Sequence, residues 1–145
     1  MSIYRPVSSR PRTIARLVLG AFLLYAGVAH LSFARQTFHA QVPTWLPVSA
    51  DVVVVASGVV EIALGIALLL LVRRRSQLGW LTAAFFVLVF PGNINQFVTH
   101  ADAFGLESDQ SRAIRLLFQP LLVVWALWCT GAWAAWRRRA DPVES

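Results

Sequence analysis

Four long apolar segments constrain the fold of this chain more than any other feature. They cover residues 14–33, 52–72, 78–99 and 113–136. Each is close to the ~20 residues that an α-helix needs to cross the ~30 Å hydrocarbon layer of a bilayer. Because 57% of the 145 residues are hydrophobic and only 14% are charged, a soluble domain of this length could not bury so much apolar surface. We therefore predict an all-α fold, an integral membrane four-helix bundle, in which residues 1–145 form a single transmembrane domain.

The distribution of arginine predicts which ends of the four segments share a side of the membrane. All 13 basic residues are arginine, and the formal net charge is +6. Ten of them precede the first segment or lie in its first turn, fill the turn between the second and third, or follow the fourth: Arg5, Arg10, Arg12, Arg16, Arg73, Arg74, Arg75, Arg137, Arg138 and Arg139. The opposite side holds Arg35, Arg112 and Arg115 together with Asp51, Asp102, Glu107 and Asp109. The positive-inside rule then predicts cytoplasmic N and C termini, and residues 140–145 are expected to form a flexible tail.

The same arrangement sets the expected environment of the chain. Arginines that flank apolar segments indicate contact with the lipid bilayer and its headgroups, so no nucleic-acid partner is predicted. The use of arginine without any lysine is typical of a GC-rich bacterial genome, which favours an inner or plasma membrane. A cleaved signal peptide ending near Gly27-Val28-Ala29 is the alternative for the first segment, but the apolar pattern continues to Phe33, so we expect the segment to be retained.

Few residues carry catalytic or metal-binding chemistry. Cys129 is the one cysteine, which excludes a thiol–disulfide pair within a single chain. The three histidines, His30, His39 and His100, lack the paired spacing typical of a metal site, so no metal site is predicted. A haem or metal held by His30 together with a partner chain is the alternative.

Glu61 is the most informative polar residue, because it falls near the middle of the second segment. A lone ionised carboxylate is very costly at that depth in hydrocarbon, so Glu61 is either protonated or paired. Candidate partners occur in the outer half of the other three segments, some at helical spacings of three or four. The expected polar layer consists of His30, Glu61, Asn93, Gln96, Arg115 and Gln119. The layer is either a ligand-binding site or a hydrogen-bonded lock between helices, whereas the cytoplasmic half is expected to be plain apolar packing.

Three further features surround this layer. Pro91, Gly92 and Pro120 predict kinks in the third and fourth segments, because proline removes a helical hydrogen bond. The outer loop of residues 34–50 carries Trp45, which we expect to anchor the loop at the membrane interface; a lid over a cavity is the alternative for this loop. Small residues on the first two segments predict a close approach of their backbones: Gly20, Gly27, Ser57, Gly58 and Gly65.

Five pieces of sequence, taken in order, resemble the DoxX-like family of small four-helix membrane proteins over residues 14–130. They are Gly20-Ala21-Phe22 through Ala26-Gly27-Val28-Ala29-His30, Val42-Pro43-Thr44-Trp45-Leu46-Pro47, Ser57-Gly58-Val59-Val60-Glu61-Ile62-Ala63-Leu64-Gly65, Val89-Phe90-Pro91-Gly92-Asn93-Ile94, and Arg115-Leu116-Leu117-Phe118-Gln119. The chain departs from the family at Gly92, where alanine is common, and at Arg115 to Gln119, which lacks the family's proline. The resemblance implies a link to membrane redox assemblies, to quinone as an acceptor, or to receptor assembly.

Three hypotheses for function follow. The first is a non-catalytic accessory subunit that stabilises a membrane assembly, which requires a protein partner or a homo-oligomer. The second is a quinone- or lipid-binding component of a membrane oxidoreductase that uses the polar layer. In that case Glu61 would take a proton from a quinol while Arg115 or His30 donates to a quinone carbonyl. The third is a small-solute transporter that acts as an oligomer. Quinone is the cofactor candidate, and whether the chain is an enzyme stays open.

Overall fold

A computed structural model describes residues 9–100 and 108–140. These residues form helices and the turns that connect them, with no strand among them. Four of the helices are long and apolar enough to span a membrane: α1, α3, α4 and α5. A short 3-10 turn, Val72–Arg74, joins α3 to α4. The six α-helices are α1 Arg10–Leu31, α2 Arg35–His39, α3 Ala50–Leu70, α4 Arg75–Val98, α5 Asp109–Cys129 and α6 Ala132–Ala140.

The fourth predicted segment differs from the structure, because it is divided into two helices. α5 ends at Cys129, and Gly131 adopts a φ of +72°, a left-handed conformation that glycine adopts without steric cost. Pro91 and Pro120, by contrast, lie inside α4 and α5, and both helices continue through them. Ala140, placed in the predicted flexible tail, is the last residue of α6. The rest of that tail and Arg5, Asp102 and Glu107 lie outside the described residues.

Contacts between helix ends show which termini lie together. The first turns of α1 meet the end of α3, where Arg16 Nη1 donates to the carbonyl of Leu68. They also meet α5, where Trp125 Nε1 donates to the carbonyl of Ala15 at 3.0 Å. The end of the molecule where α1 and α4 begin and α3 and α5 end is called the arginine end below. The opposite end, which carries the connection of residues 32–49, is called the loop end.

α1 and α3 pack with their backbones almost in contact, as the small residues predicted. A methyl group added at Gly27 would lie 2.7 Å from the carbonyl oxygen of Gly58, and one added at Gly65 would lie 2.7 Å from that of Gly20. Real side chains never approach so closely, so only glycine fits at these positions. Because these glycines lie seven residues apart on each helix, the contact forms a continuous antiparallel seam.

The remaining long helices form a second pair, α4 with α5, and the two pairs meet at the arginine end. Nine buried residues from all four long helices form a hydrophobic core that extends from this end toward the middle of the molecule, among them Leu19, Leu68, Phe85 and Ala126. Between the pairs, α1 makes few contacts with α5, and α3 makes few with α4. The core therefore joins the pairs at one end and leaves them free to separate toward the loop end.

The arginine end is not plain apolar packing, which corrects the sequence prediction. Arg16 is only 6% exposed and donates to the carbonyl of Leu68 in the last turn of α3. The last four carbonyls of a helix have no donor within the helix, and the helix C-terminus carries partial negative charge. A guanidinium at this position supplies a hydrogen-bond donor and an opposite charge. Thr82 and Thr130 are also buried in this region. Arg16 therefore acts as a cap for α3 and not as a surface anchor.

The glycine seam yields a first testable prediction. Gly65→Ala would place a methyl group against the backbone of α1 at Gly20 and Leu24, which forces the helices apart. We expect a loss of about 1–3 kcal/mol in the free energy of unfolding, as for overpacked sites. Denaturation by SDS in mixed micelles measures this value. Ala63→Val, on an exposed position of the same helix, is the control and should change little. An unchanged unfolding curve for Gly65→Ala contradicts the seam.

The cap formed by Arg16 gives a second prediction. Arg16→Met keeps the aliphatic bulk but leaves the Leu68 carbonyl without its donor, which should cost about 1–3 kcal/mol of unfolding free energy. The same micelle titration measures the loss. Arg10→Met removes an exposed arginine from the same helix and should leave stability almost unchanged. Equal losses in the two variants would show that Arg16 contributes only general charge.

Candidate functional site

A cavity of about 880 Å³ lies in the loop-end half of the molecule. All four long helices contribute to its walls, and the segment from Thr37 to Leu46 contributes six further residues. Most of the lining side chains are apolar, with a small number of polar ones among them. This size and composition are typical of small-molecule sites, which reach about 300–1,000 Å³. The two halves of the molecule thus differ, because the arginine-end half is packed with core side chains and the loop-end half contains a cavity.

His30 of α1 and Glu61 of α3 form the polar centre of one wall. Both residues are 8% exposed, and His30 Nδ1 lies 2.8 Å from Glu61 Oε2. The glycine seam brings them together: a methyl group at Gly58 would lie 2.8 Å from the Cβ of His30, so only the missing side chain makes room for the imidazole. The sequence left Glu61 either protonated or paired, and His30 lies at the distance of a pairing partner.

The orientation of the His30 ring is set by two neighbours. Nδ1 lies 2.9 Å from the carbonyl oxygen of Ala26, which can only accept, so Nδ1 carries a proton. Phe38 stacks on the other side, with ring centroids 3.4 Å apart and planes 16° apart. Since the Nδ1 proton is directed to Ala26, Glu61 Oε2 is close to the ring but has no hydrogen-bond partner among the described residues.

The opposite wall is built from amides on α4 and α5. Asn93 Nδ2 donates to Gln119 Oε1 at 2.9 Å, and Gln119 Nε2 donates to the backbone carbonyl of Phe86 at 2.7 Å. Each amide therefore uses a partner on the other helix, which fixes the pair. Gln119 is buried and Asn93 is half-buried, and both line the cavity.

Arg115 links α5 to the connection that covers the cavity. Its Nη2 donates to Gln41 Oε1 at 3.1 Å. Because a guanidinium only donates, the atom of Gln41 that faces it must be the oxygen, and the amide orientation is fixed. Gln41 Nε2 is buried and has no hydrogen-bond partner within the described residues. The backbone of Gln41 also approaches α4, since a methyl group at Gly92 would lie 3.2 Å from its carbonyl oxygen.

A cluster of charged residues holds α2 over the cavity. Arg35 donates from Nε and Nη2 to the two carboxylate oxygens of Asp51, at 2.7 and 2.5 Å, and His39 Nε2 lies 3.1 Å from Oδ1. The hydrogen bond to Asp51 and its charge raise the pKa of Arg35 above its ordinary value, so this guanidinium stays charged. Ser49 caps α3 by accepting from the N–H of Val52. These contacts fix the covering segment at the start of α3.

Five of the six predicted polar-layer residues line the one cavity: His30, Glu61, Asn93, Arg115 and Gln119. Gln96 does not line it, although it is only 1% exposed. Among the kink residues, Gly92 lines the cavity, whereas Pro91 and Pro120 are exposed and do not. Trp45 is 72% exposed and lies outside the lining, as an interface anchor would. In the parts of the chain that the structure describes, no three His, Cys, Asp or Glu side chains could hold a metal ion.

Gln41 is a polar lining residue that the sequence did not indicate. Gln36 lies only five residues earlier in the same loop and is exposed, so residue type and position do not separate the two. The loop has no helical or strand periodicity that would tell which side chains point inward. Only its contact with Arg115, 74 positions further along the chain, distinguishes Gln41.

The approach of the covering segment to α4 gives a third prediction. Gly92→Ala places a methyl group 3.2 Å from the carbonyl oxygen of Gln41, so the segment must move outward by a few tenths of an ångström. We expect amide hydrogen exchange in residues 37–46 to become faster by about fivefold, or about 1 kcal/mol of local opening free energy. Ala84→Val, on an exposed position of α4, is the control. Unchanged exchange in residues 37–46 would contradict the contact.

Comparison with known proteins places the chain in a family but does not assign an activity. No curated protein and no solved structure matches it. A family profile matches residues 19–130, from the middle of α1 to the end of α5, which includes all the polar lining residues described above. The chain therefore belongs to the family described as Domain of unknown function (DUF8561).

Proposed function

We propose that this protein is a multi-pass membrane protein that binds a lipid-soluble amphiphile in the loop-end cavity. The observation that carries this proposal is the cavity itself, with a volume of about 880 Å³. A hydrogen-bonded lock would close its polar groups on one another and fill the space between the helices. Here five predicted polar residues surround an open volume with largely apolar walls, a combination suited to an apolar body with a polar head.

The route into the cavity is the gap between α1 and α5. Aromatic and aliphatic side chains of α1, of the turn that follows it and of α5 line the cavity and are also 47% to 70% exposed: Phe22, Tyr25, Phe33, Ile114 and Phe118. In a bilayer this surface faces lipid tails. A ligand dissolved in the membrane would therefore enter sideways, without first passing through water.

The proposed orientation places the cavity in the outer leaflet. The arginine end gathers the positive charge of α1, of the turn before α4 and of α6, and the positive-inside rule favours the cytoplasm for it. Both termini would then be cytoplasmic, the four long helices would form a bundle, and the loop end would face the outer side of an inner or plasma membrane. Reagents that label cysteine from one side only, applied to Gln36→Cys and Arg74→Cys, test this orientation.

Quinone is one ligand with suitable chemistry, since Glu61 could accept a quinol proton while Arg115 or His30 donates to a carbonyl oxygen. The proposal does not depend on it, and it includes binding but no reaction. The likeness to the DoxX-like family, the role of an accessory subunit with a protein partner or a homo-oligomer, and transport by an oligomer stay predictions from sequence. Native mass spectrometry in mild detergent, which reports bound lipid and partner chains together, tests them.

Glu61 gives the fourth prediction. Glu61→Gln keeps the shape of the side chain but replaces the carboxyl group beside His30 by an amide, so we expect about tenfold less amphiphile to copurify, while thermal unfolding stays nearly unchanged. Lipid extraction and mass spectrometry of gently purified protein measure the bound amount. Asp109→Asn is the matched control, since Asp109 is exposed and does not line the cavity. A variant that loses folding instead of ligand would favour the structural lock.

A further inference from the structure

The short helix α6, which follows the break at Gly131, exposes two kinds of side chain. Trp133 and Trp136 are 49% and 51% exposed, and their ring centroids lie 5.3 Å apart on one side of the helix. Residues 137–139, in the last turn, are three exposed arginines. Ala132, at the start of α6, is its one buried residue. The helix therefore adds little to the core and presents both indole rings and guanidinium groups outward.

The length of α5 sets the depth at which α6 begins. With 21 residues and a rise of ~1.5 Å per residue, α5 is about as long as the ~30 Å hydrocarbon layer is thick. The chain then turns at Gly131, and α6 packs against α4. A methyl group added at Gly79 of α4 would lie 2.9 Å from the Cβ of Ala132, so the start of α6 is held against the bundle. A span formed by α5 therefore ends where α6 begins.

The headgroup layer of a bilayer suits both kinds of side chain on α6. Exposed indole rings are unfavourable in water, and guanidinium groups are unfavourable in hydrocarbon. Tryptophan is enriched at the depth between the two, where its ring meets acyl chains and its N–H meets polar groups. The end of α5 shows the same combination, since Arg12 Cζ lies 5.9 Å from the ring centroid of Trp128, which is 45% exposed.

The charge at the arginine end is strongly one-sided. Of the carboxylates in the described residues, Asp51 and Asp109 lie at the loop end and Glu61 lies on the cavity wall. Asp141 and Glu144, which follow α6 in the sequence, offset two positive charges. The described part of the arginine end holds nine arginines: Arg10, Arg12, Arg16, Arg73, Arg74, Arg75, Arg137, Arg138 and Arg139. A surface of anionic lipid supplies the opposite charge over a wide area.

We propose that α6 is an interfacial helix that binds anionic phospholipids in the leaflet at the arginine end. The two indole rings insert at headgroup depth, and the arginines of the last turn donate to lipid phosphates. A zwitterionic lipid accommodates the indole rings equally well, but the positive group of its head opposes the arginines, so the anionic lipid is preferred. This site is separate from the loop-end cavity and independent of any ligand bound there.

Hydrogen exchange on the intact protein in lipid vesicles tests this proposal. A helix of nine residues is barely stable in water, so its amides exchange fast unless it is held in place. Vesicles with equal amounts of phosphatidylglycerol and phosphatidylcholine should slow exchange in residues 132–140 about tenfold compared with phosphatidylcholine alone. Raising the ionic strength from ~0.1 M to ~1 M shortens the Debye length to ~3 Å and should remove most of this difference.

Three variants separate the contribution of charge from that of the indole rings. Replacing all three arginines of residues 137–139 by glutamine should abolish the effect of phosphatidylglycerol. Trp133→Ala combined with Trp136→Ala should instead speed exchange in α6 about tenfold in both kinds of vesicle. The control removes the same charge from exposed positions outside α6 and should keep most of the effect; it combines Arg10→Gln, Arg73→Gln and Arg74→Gln.

The possible outcomes distinguish a specific lipid site from weaker alternatives. Equal exchange in the two kinds of vesicle, or an equal loss in the two glutamine variants, overturns the preference of α6 for anionic lipid. Slow exchange produced by inorganic phosphate in phosphatidylcholine vesicles overturns it in favour of a free anion. Fast exchange of residues 132–140 in every vesicle overturns the interfacial helix itself. None of these results bears on the amphiphile in the cavity, which Glu61→Gln tests.

Discussion

The backbone contact between α1 and α3 is the constraint on which the rest of the structure depends. Glycines on both helices allow the two helix backbones to approach to a distance that no other residue permits. This approach brings His30 of one helix beside Glu61 of the other, at mid-helix depth where a lone carboxylate would be costly. It also determines the shape of the molecule, because two helices so tightly joined cannot part to accommodate a ligand. Space can form only between this pair and the pair of α4 with α5.

Buried polar groups have different kinds of hydrogen-bond partner at the two ends of the molecule. At the arginine end, Arg16 donates to a carbonyl near the end of α3, and most of the other buried side chains are apolar. At the loop end, Asn93 and Gln119 satisfy each other and a backbone carbonyl of α4. In hydrocarbon no water can replace a missing partner, so these solutions are needed for the helices to pack at all.

Features with a regular spacing could be predicted from the sequence, whereas features that depend on one contact between distant residues could not. Length and hydropathy predicted the four long helices to within a few residues at most ends, and the spacing of the glycines predicted the seam. Hydropathy alone missed the break at Gly131, because the sequence stays apolar through Trp136 while the backbone turns. Arg16 resembled an anchor, since its role requires knowing that the end of α3 lies beside it. Gln41 acquires its role from Arg115, which no local pattern reveals.

The two helix pairs also differ in stiffness, which follows from the residues that join them. At the seam of α1 and α3 the glycine backbones lie almost in contact, so that pair behaves as a rigid wall. α4 and α5 each contain a proline, which removes a backbone hydrogen bond and makes bending easier. Any change in the width of the cavity is therefore expected to come from bending of α4 and α5, with the core at the arginine end staying fixed. The covering segment is hydrogen-bonded to both helix pairs, through Asp51 of α3 and through Arg115 of α5. A change in the distance between the pairs would therefore move this segment.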